Sequence, residues 1–294
     1  MFRNQVKARK ISKYLGKIAP EYFAKRLKNP VFIIGSGRSG KTLLAKTLAP
    51  HRDIATYPGE ANDLWHPQTY PWRYSKLRAS IPPIWVDPEK FSRLSLRNRS
   101  DSQKRMIRSV FGGFQFLMGK KCFLNESAML TFMIPFIIKE FPDARFVHVI
   151  RDGRAVALSY AKRQHKKIED NLSVYLELGY AYPFEDVLVA CAKSWNLHMA
   201  EVDRQAEKLG LGEKGIIYEM KYEDFCRNPE KLLIQVAGFM GIDPTPFKRM
   251  DLSHIQTMNY EYGQETYKGL VQKISQQMEP TLKQKGYPLT TIME

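Results

Sequence analysis

Val31-Phe-Ile-Ile-Gly35-Ser36-Gly37-Arg38-Ser39-Gly40-Lys41-Thr42-Leu43-Leu44 is the stretch on which the fold turns. A short apolar run rich in β-branched residues reads as a buried strand. The glycine-rich turn after it and the helical pattern that follows complete a strand–loop–helix unit. Such a turn aims several backbone N–H groups, and the positive end of a helix dipole, at one anion. The anion it suits is a nucleotide phosphate. Gly35-x-x-x-x-Gly40-Lys41-Thr42 also satisfies the phosphate-loop pattern of ATP- and GTP-binding proteins.

Outward from that unit, strands and helices alternate. Asn29-Pro30 ends a preceding helix, and Lys41–Leu48 continues as a helix that stops near Pro50. Lys121–Leu124 reads as a strand, Ala128–Glu140 as a helix, Arg145–Ile150 as a strand and Arg154–Lys166 as a helix. Phe184–Leu209 is a long amphipathic helix, Gly215–Glu219 a strand and Pro229–Met240 a helix. Alternation of this kind predicts an α/β, P-loop-like three-layer fold with a central parallel sheet and helices on both faces. The chain after Asp243 carries no assignable pattern. Residues 53–85 are interrupted by Pro58, Pro67, Pro71, Pro82 and Pro83. Trp65, Tyr70, Trp72, Tyr74 and Trp85 are interleaved there, so the segment reads as an aromatic excursion that could wall an acceptor site.

Composition narrows the classes. The 294 residues are 44% hydrophobic and 12% aromatic, an ordinary globular balance. The longest apolar stretch, Ala128–Ile138, is too short to span a bilayer and contains Pro135. Three cysteines, Cys122, Cys191 and Cys226, are widely spaced and form no CxxC pair. They suit a reducing, cytoplasmic setting and make structural zinc a poor fit. Half of the net charge of +16 lies in the first thirty residues, where nine Lys and Arg face Glu21 alone. With no apolar core, this arm is not expected to be a signal peptide. Ile11, Tyr14, Leu15 and Ile18 recur at helical spacing within it. That stripe either packs the helix on the domain or lies on an anionic membrane surface. Residues 1–29 are therefore expected as a basic amphipathic arm and 30–294 as a single domain. Nucleic acid is not the expected partner, since a multiply phosphorylated ligand or a membrane also draws cations.

An NTPase reading of the loop needs an acidic residue for magnesium, ordinarily at the end of an apolar strand. Asp152 follows Phe146–Ile150, but Arg151 intervenes, and no Asn-Lys-x-Asp guanine-reading motif is present. Arg151 instead ends a strand at the carboxyl edge of the sheet, and Ser159 follows eight residues later in the next helix. A fixed cation and a hydroxyl converging there suit a phosphate dianion. The structural alternative is that Arg151 pairs with Asp224 or another carboxylate.

Three islands together resemble the PAPS-dependent sulfotransferases (donor 3′-phosphoadenosine 5′-phosphosulfate), in particular their bacterial and tyrosylprotein branch. They are the loop at 35–42, Arg151-Asp152-Gly153-Arg154…Ser159, and Tyr222-Glu223-Asp224-Phe225 followed by Asn228-Pro229-Glu230. The resemblance covers roughly Pro30 to Asp243 in the family's order. It implies that Ser36, Gly37, Arg38, Ser39, Gly40, Lys41 and Thr42 hold the 5′-phosphosulfate, that Arg151 and Ser159 hold the 3′-phosphate, and that Tyr222 lies near the adenine. It implies sulfuryl transfer to a hydroxyl without a metal, no metal constellation being visible in the sequence. Arg38 stands where the family carries the catalytic cation, and Glu60 where that branch places its general base. Glu126 and His66 are the other candidate bases. A carbohydrate or glycolipid hydroxyl fits the aromatics and the basic arm. Lys41 departs from the usual Thr of the family and leaves a P-loop kinase or NTPase using Lys41-Thr42 as the rival.

Overall fold

The computed structural model describes residues 2–65, 83–90, 101–177, 179–259 and 263–289. Five parallel strands, β1 (Pro30–Ile34), β2 (Ile54–Thr56), β3 (Cys122–Glu126), β4 (Arg145–Ile150) and β5 (Ile217–Lys221), lie in the order β2-β3-β1-β4-β5. Alternate residues of β1 face opposite ways. Phe32 and Ile34 join Phe123, Phe146, Phe111 and Phe141 in one core, while Val31 and Ile33 join Leu44, Leu124, Val147 and Leu233 in the other. All five β1 residues are buried, as a parallel sheet covered on both faces requires. This is the three-layer α/β architecture expected from the alternation. A third core joins the helices Gly153–Glu169, Phe184–Leu209 and Lys268–Gln284 around Trp195 and Met278.

Strand order positions the site. From β1 the chain leaves toward β2 on one side, whereas from β4 it leaves toward β5 on the other. The loops after these adjacent strands diverge and open a crevice at their carboxyl ends, the usual ligand position in open α/β sheets. The phosphate-type loop follows β1 and Arg151 follows β4.

Two local expectations are corrected. Ala128–Glu140 is not one helix: Ala128–Met133 is a 3-10 turn and Ile134–Glu140 an α-helix. Pro135 has no N–H to give to the preceding turn, so it sits where an α-helix begins. Most of the apolar stripe of the N-terminal helix Phe2–Ile18 does not pack it on the domain; of its four residues only Leu15 is half-buried, beside Gly113. Gln5, Ala8, Ser12 and Gly16 take the face against the Asp101–Met118 helix, whose Ser109 hydroxyl donates to the Gly16 carbonyl. Small residues there let the two backbones close. Ile11, Tyr14 and Ile18 are left 38%, 65% and 59% exposed.

The aromatic excursion is partly core. Trp65 is fully buried against Phe32, Phe111 and Phe141 and donates from Nε1 to Asn125 Oδ1 at 2.9 Å. Trp85 is buried edge-on to Tyr182. Neither can wall an acceptor site. Tyr70, Trp72 and Tyr74, like His66, lie outside the described residues. Burial pushes the thiols of Cys122 and Cys191 up, so both are held protonated.

His198 sits fully buried in the Phe184–Leu209 helix, edge-on to Phe132, with Nδ1 2.6 Å from the Ser194 carbonyl. Burial keeps the imidazole neutral, its pKa pushed down to about 3. The unfolded chain would protonate it near 6.5, so between these values the unfolded state binds one more proton. This contribution is present above about pH 6.5 and is lost on acidification by about 1.4 kcal/mol per pH unit. Urea melts between neutral and mildly acidic pH should show His198→Asn flattening that decline; an unchanged slope would assign it to other groups.

Candidate active site

The loop after β1 is shaped by two glycines. Gly35 has φ +129, and a Cβ there would lie 2.5 Å from the Val149 carbonyl. Gly40 has φ +98 and abuts the Tyr222 ring, which a Cβ would meet at 2.4 Å. Only glycine fits either position. Arg38 also takes a left-handed φ of +69, a strained choice that turns its side chain off the loop. The Gly35 N–H donates to Thr131 Oγ1 at 3.1 Å, tying the loop to the turn after β3. Ser36 and Ser39 are buried, and neither hydroxyl has a hydrogen-bond partner among the described residues. Buried hydroxyls without partners are costly unless a ligand engages them, so both suit a phosphate or sulfate oxygen.

Arg151 crosses the crevice to the same loop. Its Nη1 donates to the Arg38 carbonyl at 3.0 Å, Nε to Asn259 Oδ1 at 2.8 Å and Nη2 to the Met258 carbonyl at 2.9 Å. The guanidinium lies over the Tyr222 ring, 4.6 Å from its centroid. All three hydrogen-bond acceptors are neutral, and they use three of the five N–H donors, so the charge and two donors remain for an anion. The pairing with Asp224 does not form; Asp224 holds Arg227 at 2.9 Å. Arg38 Nε in turn donates to Ser159 Oγ at 3.1 Å. The loop, Arg151, Ser159 and Tyr222, dispersed over nearly two hundred residues, therefore share one crevice. Burial pushes the Tyr222 phenol up to about 12, so it is neutral there.

Asp152 is occupied elsewhere. It caps the Gly153–Glu169 helix by accepting from the Arg154 N–H at 2.9 Å, and its other oxygen pairs with Arg154 Nη2 at 2.6 Å.

Lys41 is buried at the start of its helix and donates to the Ser36 carbonyl. Burial lowers its pKa, while Glu126 and Glu60 favour its charged form. Glu126 ends β3 and accepts from Thr42 Oγ1 at 2.8 Å. Burial pushes its carboxyl up, against the pull of Lys41. Glu60 is exposed, on a loop whose Gly59 carbonyl accepts from Asn125 Nδ2 at 3.0 Å and whose Pro58 carbonyl accepts from Arg9 Nη1 at 3.1 Å. Asn62 Nδ2 donates to its Oε2 at 3.2 Å. Glu60 is close enough to Lys41, Glu126 and Tyr160 to bear on the charge of each.

Sequence reading missed Asn259, Met258 and Thr131, which brace Arg151 and the loop. No local signal marks them. It also missed the Thr42–Glu126 contact, for which a signal exists: an acidic residue closing an apolar strand. Among the described residues, no three His, Cys, Asp or Glu converge as a metal cage, and no helix is long and apolar enough to cross a membrane.

The Drosophila melanogaster protein-tyrosine sulfotransferase is 24% identical over 260 residues, covering 86% of this chain and 46% of that protein. The chain thus spans about half the length of that curated relative. Sulfotransferase STF9 from Mycobacterium avium superposes with a TM-score of 0.58 at 13% identity, covering 89% of this chain and 78% of that one. The sulfotransferase domain of a Synechococcus olefin synthase gives 0.52 at 18% identity, covering 90% and 97%. At such identities these two likenesses speak for the fold. The model of the Sulfotransferase family matches residues 30–246, which contain the loop, Arg151, Ser159 and Tyr222, and by that match the chain belongs to the Sulfotransferase family.

Proposed function

We propose that this chain transfers a sulfuryl group from PAPS to an acceptor hydroxyl. One observation carries the reading: Arg151 and the 35–42 loop, from the ends of adjacent strands, meet across one crevice with Ser159 and Tyr222. A compound with phosphate at both its 3′ and 5′ ends spans two such anion sites. PAPS supplies the sulfuryl group and a phosphate leaving group. The 5′ end is received by Ser36, Ser39, the loop N–H groups and Lys41, and the 3′-phosphate by Arg151 and Ser159. Arg38 holds negative charge as it develops on the bridging oxygen, and Glu60 takes the acceptor proton. These cations and N–H groups meet the donor's charge, so the transfer is proposed to need no metal.

The acceptor is proposed to be a carbohydrate or glycolipid hydroxyl, presented at a membrane surface. Outward-facing Ile11, Tyr14 and Ile18 lie beside Lys7, Lys10 and Lys17, a pattern that suits an anionic interface. Asp63 pairs with Arg9 at 2.6 Å and with Lys13, so this arm is pinned to the segment carrying Glu60. Vesicles containing anionic lipid should retain the full chain on sedimentation, and Ile11→Asp/Ile18→Asp should release it; equal retention would remove the membrane contact. The protein is proposed to work in the cytoplasm, peripheral to the membrane, with no role for nucleic acid.

Equilibrium binding tests the donor. Adenosine 3′,5′-bisphosphate should bind in EDTA at least about tenfold more tightly than AMP. Equal affinities would mean that the second anion site does not exist.

A further inference from the structure

Glu126 supplies what the Gly35–Thr42 loop lacked as a nucleoside-triphosphate site. A phosphate loop that takes a magnesium nucleotide needs its Thr hydroxyl beside a carboxylate at the end of a neighbouring strand. Here β3 is hydrogen-bonded directly to β1, with Glu126 in register with Ile33. Thr42, at the second position of the helix, donates to Glu126 Oε1 at 2.8 Å. The other oxygen, Oε2, is buried and has no hydrogen-bond partner among the described residues, in a residue only 7% exposed. A buried carboxylate oxygen without a donor is costly, and a cation is the partner that would compensate it. Lys41 acts on this carboxyl through its charge, but the hydrogen bond its ammonium makes is to the Ser36 carbonyl and leaves Oε2 without a donor. Glu60, near enough to act on both Lys41 and Glu126, adds negative charge to the same corner.

We propose that Thr42 and Glu126 form the protein half of a divalent-cation site, through which this loop also binds a magnesium nucleoside triphosphate. Magnesium favours this kind of site: one or two oxygen ligands from protein, the rest from phosphates and water. No cage of three side chains is needed. The cation would arrive chelated by successive phosphates, which a triphosphate provides and an adenosine bisphosphate with its phosphates on separate carbons does not. Lys41 then has a reason to stand where the resembling family has Thr, since a phosphate-loop Lys reaches the β- and γ-phosphates. The triphosphate and the sulfuryl donor would compete for the 5′ end of the crevice. The inference does not depend on the sulfuryl reading, because it concerns only the loop and β3.

Titration calorimetry on the full chain tests it, with ATP in magnesium chloride and again in EDTA. Magnesium should tighten ATP binding by about tenfold or more, and Glu126→Gln should abolish that gain. Adenosine 3′,5′-bisphosphate should bind equally in both salts. A second measurement needs no variant: manganese(II) titrated into wild-type chain plus ATP, followed by the free aqua-ion EPR signal. The signal should fall further with the chain than with ATP alone. ATP affinity equal in magnesium and EDTA, a magnesium gain retained in Glu126→Gln, or a manganese signal indifferent to the chain would each overturn the proposal. Failure of the bisphosphate alone to bind would instead remove the sulfuryl-donor reading and leave this one standing.

Discussion

Glu60→Gln is expected to lower turnover by about 10²–10⁴-fold while leaving the affinity for adenosine 3′,5′-bisphosphate within a factor of about two. The amide keeps the size of the side chain and can still accept from Asn62 Nδ2. It cannot take a proton, which is the role proposed for the carboxylate. The loop that carries it is fixed independently, through the Gly59 and Pro58 carbonyls and a left-handed Ala61 with φ +53. A loss of activity would therefore report chemistry rather than a collapsed loop. Glu126 is the rival base, but it is buried, bonded to Thr42 and pushed up by burial. Turnover that survives in Glu60→Gln would transfer the role to Glu126 or His66, and a pH–rate profile that loses its acid limb in the variant would support Glu60.

Arg151→Ala should weaken adenosine 3′,5′-bisphosphate by about 100-fold and change AMP by less than about threefold. Two charge-assisted hydrogen bonds to a phosphate are worth about 3 kcal/mol together. The neutral acceptors, the Asn259 amide oxygen and the Met258 and Arg38 carbonyls, leave the guanidinium charge to the ligand, as a bond to Asp224 would not. Arg151→Lys keeps the charge without the fork and should fall between the two. Because Arg151 also braces the Arg38 carbonyl, a thermal melt on each variant accompanies the titrations. Equal losses for both nucleotides would show a bracing role and not a phosphate contact.

Much of the architecture was legible. Lys41–Leu48, Arg145–Ile150, Phe184–Leu209 and Pro229–Met240 have the bounds that their Gly and Pro punctuation indicates. The Phe184–Leu209 helix ends at Gly210 and the Pro229–Met240 helix at Gly241, both left-handed. Sequence pattern failed where an apolar residue has two possible neighbours. Ile11, Tyr14 and Ile18 look like a packing stripe until the helix is seen to pack by Ala8, Ser12 and Gly16. Trp65 and Trp85 look like ligand walls until they are found filling cores. The Lys268–Gln284 helix, unassigned in sequence, buries Val271, Ile274, Met278 and Leu282 against two other helices.

By itself the sequence determined the turn after β1, the cation closing β4 and the alternation of parallel strands with helices, because positive φ at Gly35 and Gly40 and the short, almost continuously buried runs of β1 and β4 are demands met within a few residues. Only the tertiary structure decided that Arg151 reaches the Arg38 carbonyl, that Asn259 braces it, and that Glu126 stands against Thr42. Those contacts follow from strand order. Putting β3 and β4 on either side of β1 is settled by how helices pack over the sheet, and no spacing along the chain encodes which strands become neighbours.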